Sequence, residues 1–273
     1  MSIVKSVFLV SSKHLYKSKS YTYLINSMST LTTSTSSDLV NNLLVVRNRI
    51  VDAAVKAEID SKLIQLIAVS KTKPSDNIQE LYDTCGQRKF GENYFQELVE
   101  KAETLPSDIE WHFIGHLQSA KASKLVRCVP NLAVVETLDS LKLANKLNAG
   151  CEAANRESLD VYIQIDTSGE ETKSGIDISE LHSFVDALKS DCPRLNIKGL
   201  MTIGAPGDSS CFAKLASARI LLADLLSIKE SDLALSMGMS GDFEEAILHG
   251  ATSVRIGSTI FGPRLYAASK PVV

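Results

Sequence analysis

Eight short apolar runs, most of them containing Val or Ile, recur along this chain, each followed by a stretch of helical periodicity: Gln65–Ser70, Lys89–Glu92, Glu110–Gly115, Leu132–Glu136, Val161–Asp166, Ile197–Thr202, Ala234–Gly238 and Ser253–Gly257. Runs that are apolar on successive positions, rather than on alternating ones, belong to strands buried on both faces, as parallel strands are. Parallel neighbours need long crossovers, and the helical patterns between the runs provide them. Residues 38–273 thus hold eight βα units in 236 residues, close to the ~250 residues of a (β/α)8 barrel. The rival architecture, an open doubly wound sheet of the dinucleotide-binding kind, wants G-x-G-x-x-G after its first strand. Here that strand runs into Ser70-Lys71-Thr72-Lys73-Pro74, without a glycine. The expected fold class is α/β, a single (β/α)8 TIM barrel.

The residues before the barrel have a different composition. Up to Ser37 there is no Asp or Glu, but four lysines (Lys5, Lys13, Lys17, Lys19), 11 Ser and 5 Thr. Hydroxyl-rich, basic and acid-free is the composition of an organelle transit peptide, although Arg is missing. It also suits a disordered extension with no address. The expected organisation is a disordered or targeting extension, 1–37, and a barrel domain, 38–273. The barrel opens with a helix: Leu39, Leu43, Ile50 and Ala54, flanked by Val40, Leu44, Val51 and Val55, form an apolar stripe, with Ser37 or Asp38 as its cap.

Several function classes are excluded. A net charge of −3, from 29 basic and 32 acidic residues, argues against general nucleic-acid binding. No run approaches the ~18 apolar residues of a membrane-spanning helix; Ile220 to Leu226 comes nearest and is broken by Asp224. Five scattered cysteines (Cys85, Cys128, Cys151, Cys192, Cys211) with no CxxC pair read as reduced intracellular thiols, Cys192 and Cys211 in loops. The cytoplasm is the expected compartment, with mitochondrion or plastid as the alternative that the N-terminal extension leaves open. His112 and His116 straddle a predicted strand end rather than share a helix face, and no HExxH occurs, so no metal site is expected.

In a barrel the site lies where the strands end. Strand one delivers Lys71 and Lys73 there, strand two Glu92, Asn93 and Tyr94, and strand three Gly115 and His116. Strands seven and eight deliver Ser236-Met237-Gly238-Met239-Ser240-Gly241 and Arg255-Ile256-Gly257-Ser258-Thr259. Glycine–hydroxyl turns at the last two positions are where barrels often hold a phosphate, on unpaired backbone N–H groups at a helix start. Ser240 has a plainer reading as N-cap of the helix carrying Phe243, Ala246 and Ile247. Lys71, at the end of an apolar strand, is partly desolvated, which favours a neutral amine competent for a Schiff base. A solvated strand-end charge is the other reading, and spacing does not decide between them.

Six blocks occur in order: Ala68-Val69-Ser70-Lys71-Thr72-Lys73-Pro74, Phe90-Gly91-Glu92-Asn93-Tyr94, Trp111-His112-Phe113-Ile114-Gly115-His116-Leu117-Gln118, Gly199-Leu200-Met201-Thr202-Ile203-Gly204, Leu235-Ser236-Met237-Gly238-Met239-Ser240 and Val254-Arg255-Ile256-Gly257-Ser258-Thr259-Ile260-Phe261-Gly262. Together, from about Asp38 to Arg264, they resemble the pyridoxal phosphate homeostasis protein family. The resemblance implies a barrel of the alanine racemase N-terminal type that binds pyridoxal 5′-phosphate. By it, Lys71 matches the lysine that forms the Schiff base, and Ser240, Gly257, Ser258 and Thr259 match the phosphate-binding turns. Arg255 matches the residue facing the pyridine nitrogen, and Asn93 and His116 lie around the cofactor. Many members have Asn where this chain has Asp166, so the resemblance assigns no contact to that residue.

The implied function is non-catalytic: intracellular homeostasis of the vitamin B6 cofactor, by buffering or by delivery to pyridoxal-phosphate-dependent apoenzymes. Alanine racemases resemble this barrel but add a C-terminal β domain whose tyrosine is the second base. Only 16 residues follow Gly257 here, and a two-base proton transfer needs a group on each face of the substrate. Two other readings stay open: a pyridoxal phosphate enzyme acting on amino acids, and an aldolase-like barrel using Lys71 on a sugar phosphate without cofactor.

Overall fold

The computed structural model of the chain describes residues 37–169, 174–205 and 207–263. The expectations for the N-terminal extension fall on residues 1–36, outside the described ones. A capping helix, α1 (Asp38–Lys56), precedes eight strands: β1 (Gln65–Val69), β2 (Lys89–Glu92), β3 (Glu110–Phe113), β4 (Leu132–Leu138), β5 (Leu159–Gln164), β6 (Leu195–Met201), β7 (Ala234–Ser236) and β8 (Ser253–Ile256). Between and after them run α2 (Ser75–Cys85), α3 (Phe95–Thr104), α4 (Ser119–Cys128), α5 (Leu141–Ala153), α6 (Leu181–Asp191), α7 (Ser210–Leu226), α8 (Phe243–Leu248) and α9 (Ser258–Phe261). The sheet is a closed barrel in sequence order. It closes where β1 pairs in parallel with β8, Leu66 opposite Val254 and Ile67 opposite Arg255.

The strands form where the continuous apolar runs predict them. β7 is shorter than its run: Gly238 turns the chain at φ +89, although the Met237 N–H still donates to the Ser253 carbonyl (3.1 Å) and the Gly238 carbonyl still accepts from the Arg255 N–H (3.0 Å). Cys211 departs from the loop expectation, whereas Cys192, just past the last residue of α6, lies in the connection to β6 as expected. Cys211 is buried in the first turn of α7, and Cys192 caps the end of α6.

α1 begins where the sequence places it, with the Ser37 hydroxyl accepting from the Val40 N–H at 3.2 Å. It buries Val40, Leu43, Val46, Ile50, Ala53 and Ala54, and leaves Leu44, Val51 and Val55 exposed. That face meets the far end of the chain. The Asn42 amide donates to the Ile260 carbonyl (3.1 Å), and Arg49 pairs with Glu244 (2.6 Å) while stacking on Phe243. The outer core between helices and barrel is one large apolar cluster; Val134, Tyr162 and Met201 form a second, small one. Val134 and Glu136 are two apart on β4 and share a face, so charge and apolar packing meet within the barrel.

One ladder position tolerates no side chain. On β6, a Cβ at Gly199 would lie 2.3 Å from the Ala234 carbonyl oxygen of β7. Backbone cannot yield there as a flexible side chain would. Gly199→Ala is expected to destabilise the barrel by about 1–3 kcal/mol, the usual scale of overpacking, read as a lower urea midpoint. An unchanged midpoint would mean that β6 and β7 are not this close.

Candidate functional site

The turn after β1 is tight. The Lys73 N–H donates to the Ser70 carbonyl at 3.0 Å, so Lys71 and Thr72 are the two central residues of a β-turn. Thr72 sits at φ +62, a region that suits glycine and penalises a β-branched side chain. α3 supports the turn from below. Lys101, almost fully buried, donates to the Ser70 carbonyl (2.8 Å), Glu92 (2.7 Å) and Glu97 (2.6 Å). Burial raises the Glu92 pKa above its ordinary value, with Lys101 opposing the shift.

Strands seven and eight end in two interlocked turns. Gly238 admits no Cβ, which would lie 2.6 Å from that of Ala246. The Ser240 hydroxyl accepts from the Gly257 N–H (3.3 Å) and the Thr259 N–H (3.4 Å), joining the two turns. Ser240 does not cap α8. Asp242 holds the N-cap position, its carboxylate accepting from the Met239 N–H at 2.6 Å.

Between these turns and Lys71 lies a cavity of about 310 Å³, within the roughly 300–1,000 Å³ of small-molecule sites. Lys71, Lys73, Asn93, Ser240, Gly241, Arg255, Gly257 and Ser258 supply its polar lining; Val69, Ile114, Met201, Ile203 and Met239 supply apolar walls. The Asn93 Oδ1 is buried without a hydrogen-bond partner. Gly115 makes room beside it, since a Cβ there would meet the Asn93 backbone oxygen at 2.3 Å. Thr259 lies behind the lining, engaged through its backbone N–H. His116, mostly exposed and 3.8 Å from Asp139, lines a neighbouring cavity of about 260 Å³ that shares Asn93. The Asp166 carboxylate turns into its own loop, accepting from the Ser168 N–H and hydroxyl (both 2.9 Å) and the Gly169 N–H (3.1 Å).

Arg255 reaches the cavity from a buried polar chain that no sequence pattern indicated. Its Nη2 donates to the Thr202 carbonyl (2.7 Å) and its Nη1 to the Ser236 hydroxyl (2.6 Å). Ser236 donates in turn to Glu136 Oε2 (2.5 Å), whose Oε1 meets His112 Nδ1 at 2.6 Å. Glu136 is fully buried, 3.9 Å from Arg255. Burial opposes its ionisation, but the contacts with His112, Arg255 and Ser236 outweigh it and hold its pKa below the ordinary 4.5. Burial likewise lowers the Arg255 pKa, with Glu136 pulling it back; a guanidinium keeps its charge in proteins. His112 between Trp111 and Phe113 reads in sequence as packing, and its partner lies on the next strand. Lys101 left a clearer trace, a charge three residues after Leu98 on the apolar side of α3. Among the described residues no cluster of three or more His, Cys, Asp or Glu could hold a metal ion.

Glu136→Gln leaves Arg255 uncompensated. The loss expected at pH 7 is about 3–5 kcal/mol, the scale of a broken buried pair. A lowered folded pKa stabilises above the ordinary value and loses that contribution as pH falls through the folded value. The gap between wild type and variant in urea unfolding should therefore be full at pH 6–7 and narrow below about pH 4.5. A gap that widened in acid would contradict an ionised Glu136.

The family model described as alanine racemase, N-terminal domain, matches residues 52–264. The human pyridoxal phosphate homeostasis protein is 46% identical over 239 residues, spanning 82% of this chain and 86% of its own length. The solved structure of PipY of Synechococcus elongatus with pyridoxal phosphate bound superposes with a TM-score of 0.67 at 31% identity, covering 82% of this chain and all of PipY. Alanine racemase of Corynebacterium glutamicum shares the fold at 18% identity, with a TM-score of 0.62 over 86% of this chain and 64% of the racemase. The chain belongs to the pyridoxal phosphate homeostasis protein family, on a barrel of the alanine racemase N-terminal type.

Proposed function

We propose that this chain binds pyridoxal 5′-phosphate in the cavity at the strand ends, through a Schiff base on Lys71, and acts as a buffer or donor of the cofactor rather than as a catalyst. The observation that carries this reading is the convergence, on one cavity, of an amine at one end and a hydroxyl-lined pair of turns at the other, with Arg255 between their strands. PipY, a family member, holds the same cofactor. The bound group supplies an aldehyde that condenses with amines. Lys71 offers the amine, the Ser240 and Ser258 hydroxyls offer donors to the phosphate, and the Gly257 and Thr259 N–H groups, which point at the Ser240 hydroxyl at 3.3 and 3.4 Å, are backbone donors that a phosphate would share with it. The buried, unpartnered Asn93 Oδ1 is an acceptor suited to a hydroxyl on the ring. Arg255, permanently charged, keeps a proton off a ring nitrogen set against it and so weakens the ring as an electron sink. His116 is assigned an outer position at the rim.

The reading treats residues 38–273 as one cofactor-binding domain, with pyridoxal-phosphate-dependent apoenzymes as recipients. The homeostasis name of the relatives supports a carrier over an enzyme. No helix among the described residues is long and apolar enough to cross a membrane.

Purified protein incubated with pyridoxal 5′-phosphate should turn yellow and bleach with borohydride, leaving a pyridoxyl adduct on Lys71 by peptide mapping. Protein that stays colourless moves the aldolase-like reading to first place. Ser240→Ala should weaken pyridoxal 5′-phosphate by about 10–100-fold, the scale of a hydrogen bond to a charged group, and leave pyridoxal, which has no phosphate, nearly unchanged. Incubation of the loaded protein with a broad amino-acid panel in heavy water should give no α-hydrogen exchange; exchange with any member would make it an enzyme.

A further inference from the structure

Lys71 occupies a turn whose geometry its own residues do not favour. Thr72, next to it, holds φ +62 at the position of a β-turn where glycine is the preferred residue. Two contacts from α3 grip the turn on either side of Lys71. The Thr72 N–H donates to Glu97 Oε1 at 2.6 Å, and the Ser70 carbonyl accepts from Lys101 Nζ at 2.8 Å. Lys101 spends its other two N–H donors on Glu92 and on the same Glu97 oxygen, so all three find acceptors. Glu92 in turn takes the Ser70 hydroxyl at 2.6 Å. A buried ammonium between two carboxylates is an expensive way to fasten a helix to a strand, since apolar residues of similar volume usually serve as well. Its distinguishing feature is that the ammonium and both carboxylates each touch a residue flanking Lys71, Ser70 or Thr72.

We propose that Lys101 and Glu97 are positioning residues: a clamp that holds the Ser70–Thr72 turn in its strained conformation and so aims the Lys71 amine into the cavity. This rests on the reading of Lys71 as the amine anchor. Strain kept at a functional residue by the surrounding structure is a recurrent means of preorganisation. The clamp sits on α3 and β2, outside the cavity lining, and acts through the backbone of the turn.

The experiment compares wild type, Lys101→Met, Glu97→Ala and the double variant Glu97→Ala/Thr72→Gly. Glu97 is partly exposed and Lys101 keeps its contacts with Glu92 and the Ser70 carbonyl without it, so Glu97→Ala is expected to be the milder of the two variants. Two quantities are followed: the rate and apparent Kd of yellow-band formation with pyridoxal 5′-phosphate, and amide hydrogen exchange at residue 72 in the free protein. Glu97→Ala should slow and weaken cofactor capture by about tenfold, at the lower end of what misplacing a reacting group costs, and speed exchange at residue 72. Thr72→Gly on that background should restore capture, because glycine adopts the turn without the clamp. A fastening role alone would lower the Tm, leave capture as in wild type, and give no rescue by glycine; that result overturns the proposal. Unchanged exchange at residue 72 does so too. A wild-type protein without an adduct on Lys71 removes the functional reading and this proposal with it, and is told apart by failing before any substitution is made.

Discussion

Closure of the parallel sheet is the constraint on which the rest of this molecule depends. Eight parallel strands without a free edge must place all their C-terminal ends on one rim, and the polar residues that line the cavity all lie at or just beyond such an end. Closure also joins the first strand to the last. The Lys71 turn and the Arg255–Thr259 segment lie far apart in sequence yet become neighbours because β1 pairs with β8. Gly257 then packs against Val69, at 3.4 Å from where its Cβ would be, and the two ends of the cavity come within reach of a single small molecule.

The barrel interior buries an ion pair together with the hydroxyl that bridges it. Arg255, Ser236, Glu136 and His112 form an unbroken contact chain from β8 and β7 across to β4 and β3. A guanidinium and a carboxylate that share one bridging hydroxyl leave little net charge, which is why a dry interior tolerates both. The same arrangement limits the freedom of Arg255: both terminal nitrogens of the guanidinium are engaged by protein acceptors. Its charge reaches the cavity while its orientation belongs to the scaffold. Tyr162, whose phenol burial pushes far up and Glu136 and Asp160 push further, stays neutral beside this chain.

Much of the fold was legible because double-sided burial writes itself as continuous apolar runs. What was misjudged was local. β7 stops early, ahead of one glycine with positive φ, and Cys211 joins a helix that starts before its apolar stripe. At the site, the strand-end rule brought Lys71, Asn93, Ser240, Arg255, Gly257 and Ser258 to one cavity, and it brought His116 to the next one. The choice between cap and bridge for Ser240 needed three dimensions, since its partners are the N–H groups of residues 17 and 19 positions onward. Glu136 and His112 were opaque for the same reason: which side chains meet inside a barrel is set by strand stagger, and stagger leaves no local signature.

The first helix is fastened to the last units of the chain, Asn42 to Ile260 and Arg49 to Glu244, and the first strand has its closing neighbour only in β8. A nascent chain emerging from a ribosome therefore displays the Lys71 turn long before it owns either the Ser240 bridge or the Gly257 turn. Contacts of such long sequence separation form late. The complete cavity therefore comes into being in one late step, when β8 exists and pairs with β1.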